Sequence, residues 1–456
     1  MTRQIRKVLV ANRGEIAVRI IRTCAELGIA TVAVYSAADR DSAAVRLADE
    51  AVQIGPGPAK RSYLYIPAVI EAARLSGADA IHPGYGFLSE NPDFAEVCEA
   101  EGFIFVGAPA AVLARLGDKS TARALMSDAG LPLLPGSRDP VDTVEEAQEL
   151  AADIGYPVIM KAVAGGGGRG MSVVRDPADF AAAWQRTRAN AGAVFGDPRL
   201  YVERYLDQAR HVEVQILADT QGTVIHLGLR DCSLQRRHQK LVEEAPASGL
   251  SAELAEQIGA AAVRGASAAG YVGAGTAEFL LDTQGRFYFM EMNCRLQVEH
   301  PVTEMVTGVD LVAEQLRIAA GEPLTTARNR VPQGVSIECR INAEDPTREF
   351  APAPGVLTTC ELPAGPFVRV DTHIAPGYAI PPHYDSLLAK VVVWAPDRPA
   401  AIARMRRALS ETRLEGPGIA TTTDFLHDVL DHPRFHSATH DTALIATLTD
   451  PVAVHA

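Results

Sequence analysis

The sequence predicts a chain of mixed α/β and α+β class. A doubly wound parallel sheet comes first, then a strand-rich central region bearing a mobile glycine-rich lid, then a C-terminal α+β domain. Two observations carry this. Over about the first 115 residues, short β-branched runs alternate with helical stretches, the pattern of strand–helix–strand units. Beyond them, strand-like runs follow one another around turns and helices are fewer. The first region ends near residue 115, and the last begins at "RNRVPQG".

In chain order, "KVLVA", "ATVAVYS", "AVQIG", "AIHPG" and "FIFVG" read as strands, with helical segments such as "GEIAVRIIRTCAELG" between them. A helix at "DKSTARALMSDA" leads into the Pro/Gly-rich "GLPLLPGS", which opens the second region. There "YPVIMKAVA" and "MSVVRD" flank a glycine run. Gly165, Gly167 and Gly170 fit the G-x-G-x-x-G spacing, but a strand rather than a helix follows. The run therefore reads as a hairpin flap, and no Gly-Lys-Ser/Thr closes it as a P-loop would require. Glycines let successive N–H groups converge on an anion and let a flap swing. Beside Lys161 that suits a lid over polyphosphate, although the glycines alone fit a surface hairpin equally well. "RLYVERYL" is strand again, and the stretch from "RHVEVQILAD" to "RIAAGEPL" is strand-rich and holds most of the polar chemistry. "RNRVPQGVSIECRINAEDP" begins the last region.

With 456 residues, 47% hydrophobic and 22% charged, the chain suits a globular protein of about three domains. A net charge of −13 argues against a protein built to hold nucleic acid. The six cysteines are scattered without C-x-x-C pairs, so no zinc site is recognisable and reduced thiols in a cytoplasm are expected. The N-terminus lacks the apolar run of a signal peptide, and no segment has the roughly eighteen apolar residues of a membrane span.

Chemistry first gathers in "GTAEFLLDTQGRFYFMEMN", read as two strands around a turn at Thr283–Arg286. A loop of that length pairs Leu280 with Phe289 and Glu278 with Glu291. Facing carboxylates, about 4.5–5.5 Å apart at Cβ, destabilise a sheet unless they share a proton or hold a cation. Both strands are otherwise apolar, which should shield the pair from water. Asn293 shares the face of Glu291, and two carboxylates with one amide oxygen make a hard oxygen set suited to Mg²⁺ or Mn²⁺. Nearby, "LQRRHQKLVEEAP" packs Arg236, Arg237, His238 and Lys240 together, and "CRLQVEHPVTE" places Arg295, Gln297 and Glu299 at alternate positions. A guanidinium can grip a planar carboxylate or bicarbonate with two bonds, and a nearby glutamate can act as general base. Taken alone, "RRHQK" reads as a solvated basic patch and His300 as a structural histidine.

With "ANRGEIAVRI", "HPGYGFLSEN", "GGGGRGM", "RDCSLQRRHQK", "EMNCRLQVEHPVTE" and "ECRINAEDP" in order, the chain resembles the biotin carboxylases of the ATP-grasp superfamily over nearly its whole length. The resemblance implies a Rossmann-like N-terminal domain over 1–116, a central ATP-grasp domain over 117–330 with its lid at about 132–204, and a biotin carboxylase C-terminal domain over 331–456. It implies a ligase in which ATP and bicarbonate form carboxyphosphate, which then carboxylates a ureido nitrogen of biotin. That is the first half-reaction of an acetyl-CoA carboxylase or a related acyl-CoA carboxylase.

By matching position, Lys119 and Lys161 would hold nucleotide phosphates, Gly165, Gly166, Gly167 and Gly168 would close over them, and Met171 would lie against the base. Glu203, Arg204 and Leu206 match the hinge that reads adenine, largely through backbone groups. His211, Gln235 and His238 resemble ribose and phosphate contacts, and Leu280 joins Glu278 and Glu291 in the nucleotide site. Glu278, Glu291 and Asn293 match the family's metal set, expected to hold two ions of Mg²⁺ or Mn²⁺. Lys240, Arg295, Gln297 and Val298 resemble the bicarbonate pocket, with Glu299 as the base that deprotonates bicarbonate. Arg340 matches the arginine that stabilises the biotin enolate, Tyr85 lies near biotin in that family, and Asp385 sits in a matching C-terminal loop. Lys240, Arg295, Glu299 and Arg340 are then the catalytic set. Three positions depart from the family: Cys294 stands for the usual Thr or Pro, Arg204 for a common Lys, and Ala277 for a bulkier residue.

No Met-Lys-Met, the usual biotinylation site, occurs in the chain. Biotin is therefore expected on a separate biotin carboxyl carrier protein, working with separate carboxyltransferase subunits. The chain itself is expected to be a cytoplasmic homodimer without nucleic-acid or membrane partners. Three alternatives stay open: a subunit of a pyruvate or other 2-oxo acid carboxylase, another ATP-grasp carboxylate–amine ligase, and a non-catalytic nucleotide-binding subunit.

Overall fold

The computed structural model describes residues 3–449 except 165–169, 327, 328 and 330. Gly165, Gly166, Gly167 and Gly168, expected in the flap, lie outside the described residues. Five N-terminal strands form a wholly parallel sheet: β1 (Lys7–Val10), β2 (Ala30–Ser36), β3 (Glu50–Gly55), β4 (Ala80–His82) and β5 (Ile104–Phe105). Their order is β3-β2-β1-β4-β5. Helices such as Gly14–Glu26 and Pro92–Ala100 cover the sheet, and Leu9, Val10, Val32 and Ile81 are buried in it, as a sheet packed on both faces requires. Strand order reverses beside β1, so the loops leaving β1 and β4 open a crevice at the carboxyl ends of those strands. Asn12 ties the two loops together by donating from Nδ2 to the carbonyls of Pro83 and Tyr85, each at 2.7 Å.

The lid is a small antiparallel sheet of β6 (Val158–Ala162), β7 (Met171–Val174) and β8 (Leu200–Arg204), in the order β7-β6-β8. Its helix Phe180–Phe195 adds Phe180 and Trp184 to a core separate from the rest of the molecule. The flanks of the glycine run thus form the predicted hairpin.

The other large sheet is antiparallel throughout and has eight strands. Its sequence-ordered members are β9 (Ala209–Ala218), β10 (Val224–Arg236), β11 (Gln239–Ala245), β12 (Gly273–Asp282), β13 (Phe287–Asn293) and β14 (Val335–Asn342). Strands Val368–Thr372 and Leu387–Ala395 complete it, and the spatial order is β13-β12-β9-β10-β11-β14, then Leu387–Ala395 and Val368–Thr372. One sheet therefore runs from the central region into the C-terminal one.

The β12–β13 register corrects the sequence reading. Asp282 N–H donates to the Arg286 carbonyl at 2.9 Å, so the loop is the three residues Thr283, Gln284 and Gly285, with Gly285 at φ +77°. A glycine in that conformation is what a three-residue hairpin loop calls for. Leu280 consequently pairs with Tyr288, not Phe289. A bulge then inserts Met290 between Phe289 and Glu291, and Glu278 faces Glu291 after all. Among the described residues no helix is long and apolar enough to cross a membrane.

Candidate functional site

A cleft of about 1660 Å³ lies where the switch-point loops, the lid and the large sheet meet. Every site residue expected from the sequence that falls among the described residues lines it, from Tyr85 and Lys119 to Arg340 and Asp385. Met171, Leu206 and Leu280 give it apolar wall, and Lys161 reaches it from β6 beside Met171 of β7.

Glu291, Glu278, Glu213 and Arg230 stand in one row across β13, β12, β9 and β10. Three adjacent carboxylates repel one another, and Arg230 and Lys240 offset the charge of two of them, Glu213 and Glu278. Arg230, fully buried, donates from Nε to Glu213 at 2.5 Å and from Nη1 to Gln215 Oε1 at 2.7 Å. Lys240 Nζ donates to Glu213, to Glu278 Oε1 at 3.0 Å and to Glu299 Oε1 at 2.6 Å. Burial alone would lower the Lys240 pKa, but Glu213, Glu278 and Glu299 together carry it well above the ordinary lysine value. The same balance drives Glu278 far below the carboxylate range: burial opposes ionisation, and Lys240 and His211 outweigh it. His211 Nε2 lies 3.0 Å from Glu278 Oε2, and Gln235 Nε2 is 3.3 Å from His211 Nδ1.

Glu291 differs from the sequence expectation of a shielded pair. Glu278 is buried, whereas Glu291 is exposed to the cleft and accepts no hydrogen bond among the described residues. Desolvation by the cleft walls and the like charge of Glu278 raise its pKa. An open carboxylate, a second carboxylate beside it and the Asn293 amide oxygen suit a hard divalent cation, which would offset that charge.

His238 sits at the tip of the β10–β11 hairpin, where Arg237 and His238 have φ of +48° and +66°. Positive φ at both central residues matches the twist of a two-residue hairpin, at a steric cost for side chains other than glycine. Arg236 lies over the Phe350 ring at 4.2 Å and Arg237 pairs with Glu349, so these two arginines face the C-terminal region. Glu203 accepts from Lys161 Nζ at 2.5 Å and Arg123 Nη1 at 2.6 Å, so its carboxylate is engaged within the protein. Arg204 donates outward to the Ile154 carbonyl at 3.1 Å.

The anion-pocket residues converge on the same place. Arg295 donates from Nε to Glu90 Oε2 at 2.7 Å, from Nη1 to Gln297 Oε1 at 3.0 Å and from Nη2 to Asn293 Oδ1 at 3.3 Å. Arg340 Nη2 donates to Glu299 Oε2 at 2.8 Å, so Glu299 bridges Lys240 on β11 and Arg340 on β14. The Val298 carbonyl accepts from the buried Lys390 at 2.8 Å. Tyr85 donates to Glu15, which also pairs with Lys390 at 3.0 Å. Asp385 caps its own loop by accepting from Leu387 N–H at 2.9 Å.

Sequence reasoning missed Glu90, Glu213, Arg230, Arg123 and Glu15. For Glu213 there was a signal, since His211, Glu213 and Gln215 alternate with Val212, Val214 and Ile216 along the strand. The others pair only through the tertiary fold.

Three family models match the chain: "Biotin carboxylase, N-terminal domain" over residues 4–113, "Carbamoyl-phosphate synthase L chain, ATP binding domain" over 118–327, and "Biotin carboxylase C-terminal domain" over 338–447. The biotin carboxylase of Nostoc sp. is 54% identical over 440 residues, covering 96% of this chain and 98% of that protein. A crystal structure of a biotin carboxylase–ATP complex from Campylobacter jejuni superposes with a TM-score of 0.94 at 46% identity, over 97% of this chain and 99% of the other. The biotin carboxylase domain dimer of Hydrogenobacter thermophilus 2-oxoglutarate carboxylase, solved with MgADP, ADP and bicarbonate, gives a TM-score of 0.93 at 46% identity, covering 98% and 99% of the two chains.

Proposed function

The chain belongs to the biotin carboxylase family, and from that premise we propose how its cleft divides the reaction among its residues. The enzyme is an ATP-grasp ligase of the biotin carboxylase type. In our reading Lys119 and Lys161 hold ATP phosphates, Met171, Glu203, Arg204, Leu206 and Leu280 seat the base, and His211, Gln235 and His238 meet ribose and phosphate. Glu278, Glu291 and Asn293 hold Mg²⁺ or Mn²⁺, which would screen phosphate charge. Arg295, Gln297, Val298 and Lys240 take bicarbonate, and Glu299 accepts its proton. Arg340, with Tyr85 at the pocket edge, faces the ureido oxygen of biotin.

The observation that carries this reading is the position of Glu299. It bridges Lys240 from β11 of the central region and Arg340 from β14 of the C-terminal region. Its carboxylate accepts from both cations at once, and each cation is placed beside charge that develops during transfer.

The biotin is carried on a separate protein, and the carboxyl group passes to an acyl-CoA through carboxyltransferase subunits. The three regions divide in sequence at 116/117 and 330/331, with one sheet and one core shared across the second boundary. Two copies associate, and the exposed Phe367, packed on Trp394 at 5.0 Å between ring centres, offers apolar surface for that contact. The cysteines are all unpaired, in keeping with a reducing cytoplasm. The test measures ATP cleavage and carboxybiotin formation separately, with free biotin as acceptor. Bicarbonate-dependent cleavage with carboxylation is expected, and cleavage without transfer to biotin would sink the reading. The biotinylated chain that copurifies separates an acyl-CoA carboxylase from a 2-oxo acid carboxylase.

A further inference from the structure

The loop leaving β4 at the switch point sends Tyr85 and Glu90 to the cleft. Neither the oxygen set of Glu278, Glu291 and Asn293 nor the bicarbonate residues include Glu90, yet both its oxygens are engaged on one short stretch. Oε1 accepts from the backbone N–H of Cys294 at 2.8 Å, and Oε2 accepts from Arg295 Nε at 2.7 Å. β13 ends at Asn293, so the Cys294 N–H has left the strand ladder and finds its partner in Glu90.

The loop itself is fixed. Ser89 N–H donates to the Gly86 carbonyl at 3.0 Å and Asn91 N–H to the Leu88 carbonyl at 3.1 Å. The Phe87 ring stacks on Tyr63 at 5.1 Å, and Asn91 caps helix Pro92–Ala100 by accepting from Phe94 N–H at 2.8 Å. Glu90 is thus a strut from the parallel sheet to the strand end that carries Asn293 and Arg295. The five N–H donors of a guanidinium lie in one plane. Holding Nε and the adjacent backbone from one side sets that plane and leaves the Nη edge, on Gln297 and Asn293, toward the cleft.

We infer that Glu90 is a positioning residue that orients Arg295 for bicarbonate. The inference rests on the reading of Arg295 as a bicarbonate ligand. A plain surface ion pair would contribute little, so the two accounts part in kinetics. Steady-state assays should show Glu90→Ala raising the bicarbonate KM about tenfold or more, the scale of a lost charge-assisted bond. The ATP KM should stay within about twofold of wild type. Glu90→Gln, which has the same shape and retains one acceptor oxygen, should recover part of the loss and guards against a folding artefact in the Ala variant. Because the strut acts through Arg295, Glu90→Ala in an Arg295→Ala background should add almost nothing. An unchanged bicarbonate KM in Glu90→Ala, or fully additive losses in the double variant, would overturn the inference. If Arg295→Ala alone left the bicarbonate KM unchanged, the bicarbonate reading of Arg295 would fall instead.

Discussion

Arg340 and Glu299 touch each other, yet they should fail in different ways. Arg340 lies in β14, far along the chain from every nucleotide motif, and the role proposed for it is to meet negative charge on the ureido oxygen as biotin loses its proton. Arg340→Gln should lower biotin carboxylation by about 10²–10³ while nucleotide affinity stays near wild type, because one donor to a developing oxyanion is lost. Glu299→Gln should damage ATP cleavage and carboxylation together, since it removes the base proposed to deprotonate bicarbonate. Separate assays of the two activities check both, and normal carboxylation by Arg340→Gln would make the arginine structural. Cys294 makes a third case. It is buried, and burial, with Glu90 nearby, raises its thiol pKa, so it is no nucleophile. Cys294→Thr should keep most of its activity in the same assay, because the Glu90 contact is to its backbone N–H. At this scale the sequence revealed residue types and neighbours along the chain, such as Arg295, Gln297 and Glu299. It could not reveal that Lys240 serves three carboxylates from three different segments, because that follows from strand order.

The β12–β13 hairpin shows what an element-level reading can and cannot deliver. Alternation and the Gly285 turn made the hairpin legible, and with it the facing of Glu278 and Glu291. The loop was one residue shorter than expected, and the Met290 bulge restored the register at the acidic pair. A bulge has no compositional mark as strong as a glycine turn, so only the structure exposes it. The pair predicts that Glu291→Gln, which removes charge at constant shape, raises the Mg²⁺ needed for half-maximal turnover. Outer-shell partners alone commonly cost about 10–100-fold in metal affinity, so a direct ligand should cost at least about tenfold. A magnesium titration with unchanged midpoint would show that Glu291 is no ligand. The row across the sheet makes a second prediction. Arg230 serves Glu213, Gln215, Thr276 and Thr303 without solvent. Arg230→Met leaves these groups short of a partner and should cost about 3 kcal/mol, the lower end for breaking a buried pair, because Lys240 still neutralises Glu213. Urea unfolding would measure it, and a loss below about 1 kcal/mol, as for exposed pairs, would contradict the burial argument.

At the scale of the molecule, the parallel sheet was the most legible part, since strands buried on both faces leave an unmistakable apolar alternation with helices. The continuous antiparallel sheet was not. A sequence boundary near residue 330 suggested a fresh domain, whereas β11 pairs directly with β14 from Val242–Cys339 to Ala245–Ser336. Leu234, Leu241 and Val242 from the central strands pack in the same core as Ile337, Val391 and Leu426. Buried Glu243 and Glu244 depend on Arg340 and Arg398 from beyond that boundary. The central and C-terminal regions should therefore open as one cooperative unit, while the lid, with its own small core, opens by itself. Native-state hydrogen exchange should find amides of β6–β8 exchanging through openings well below the global free energy, and amides of β9–β14 exchanging together at the highest level. A chain cut after residue 330 would turn β11 into an exposed edge and strip two buried carboxylates of their cations, so it should not unfold cooperatively. If β14 exchanged well before β11, or the truncated chain melted sharply, the shared sheet would be a contact between independent domains. Glu299, held from both sides of that seam, would then depend on docking rather than on folding.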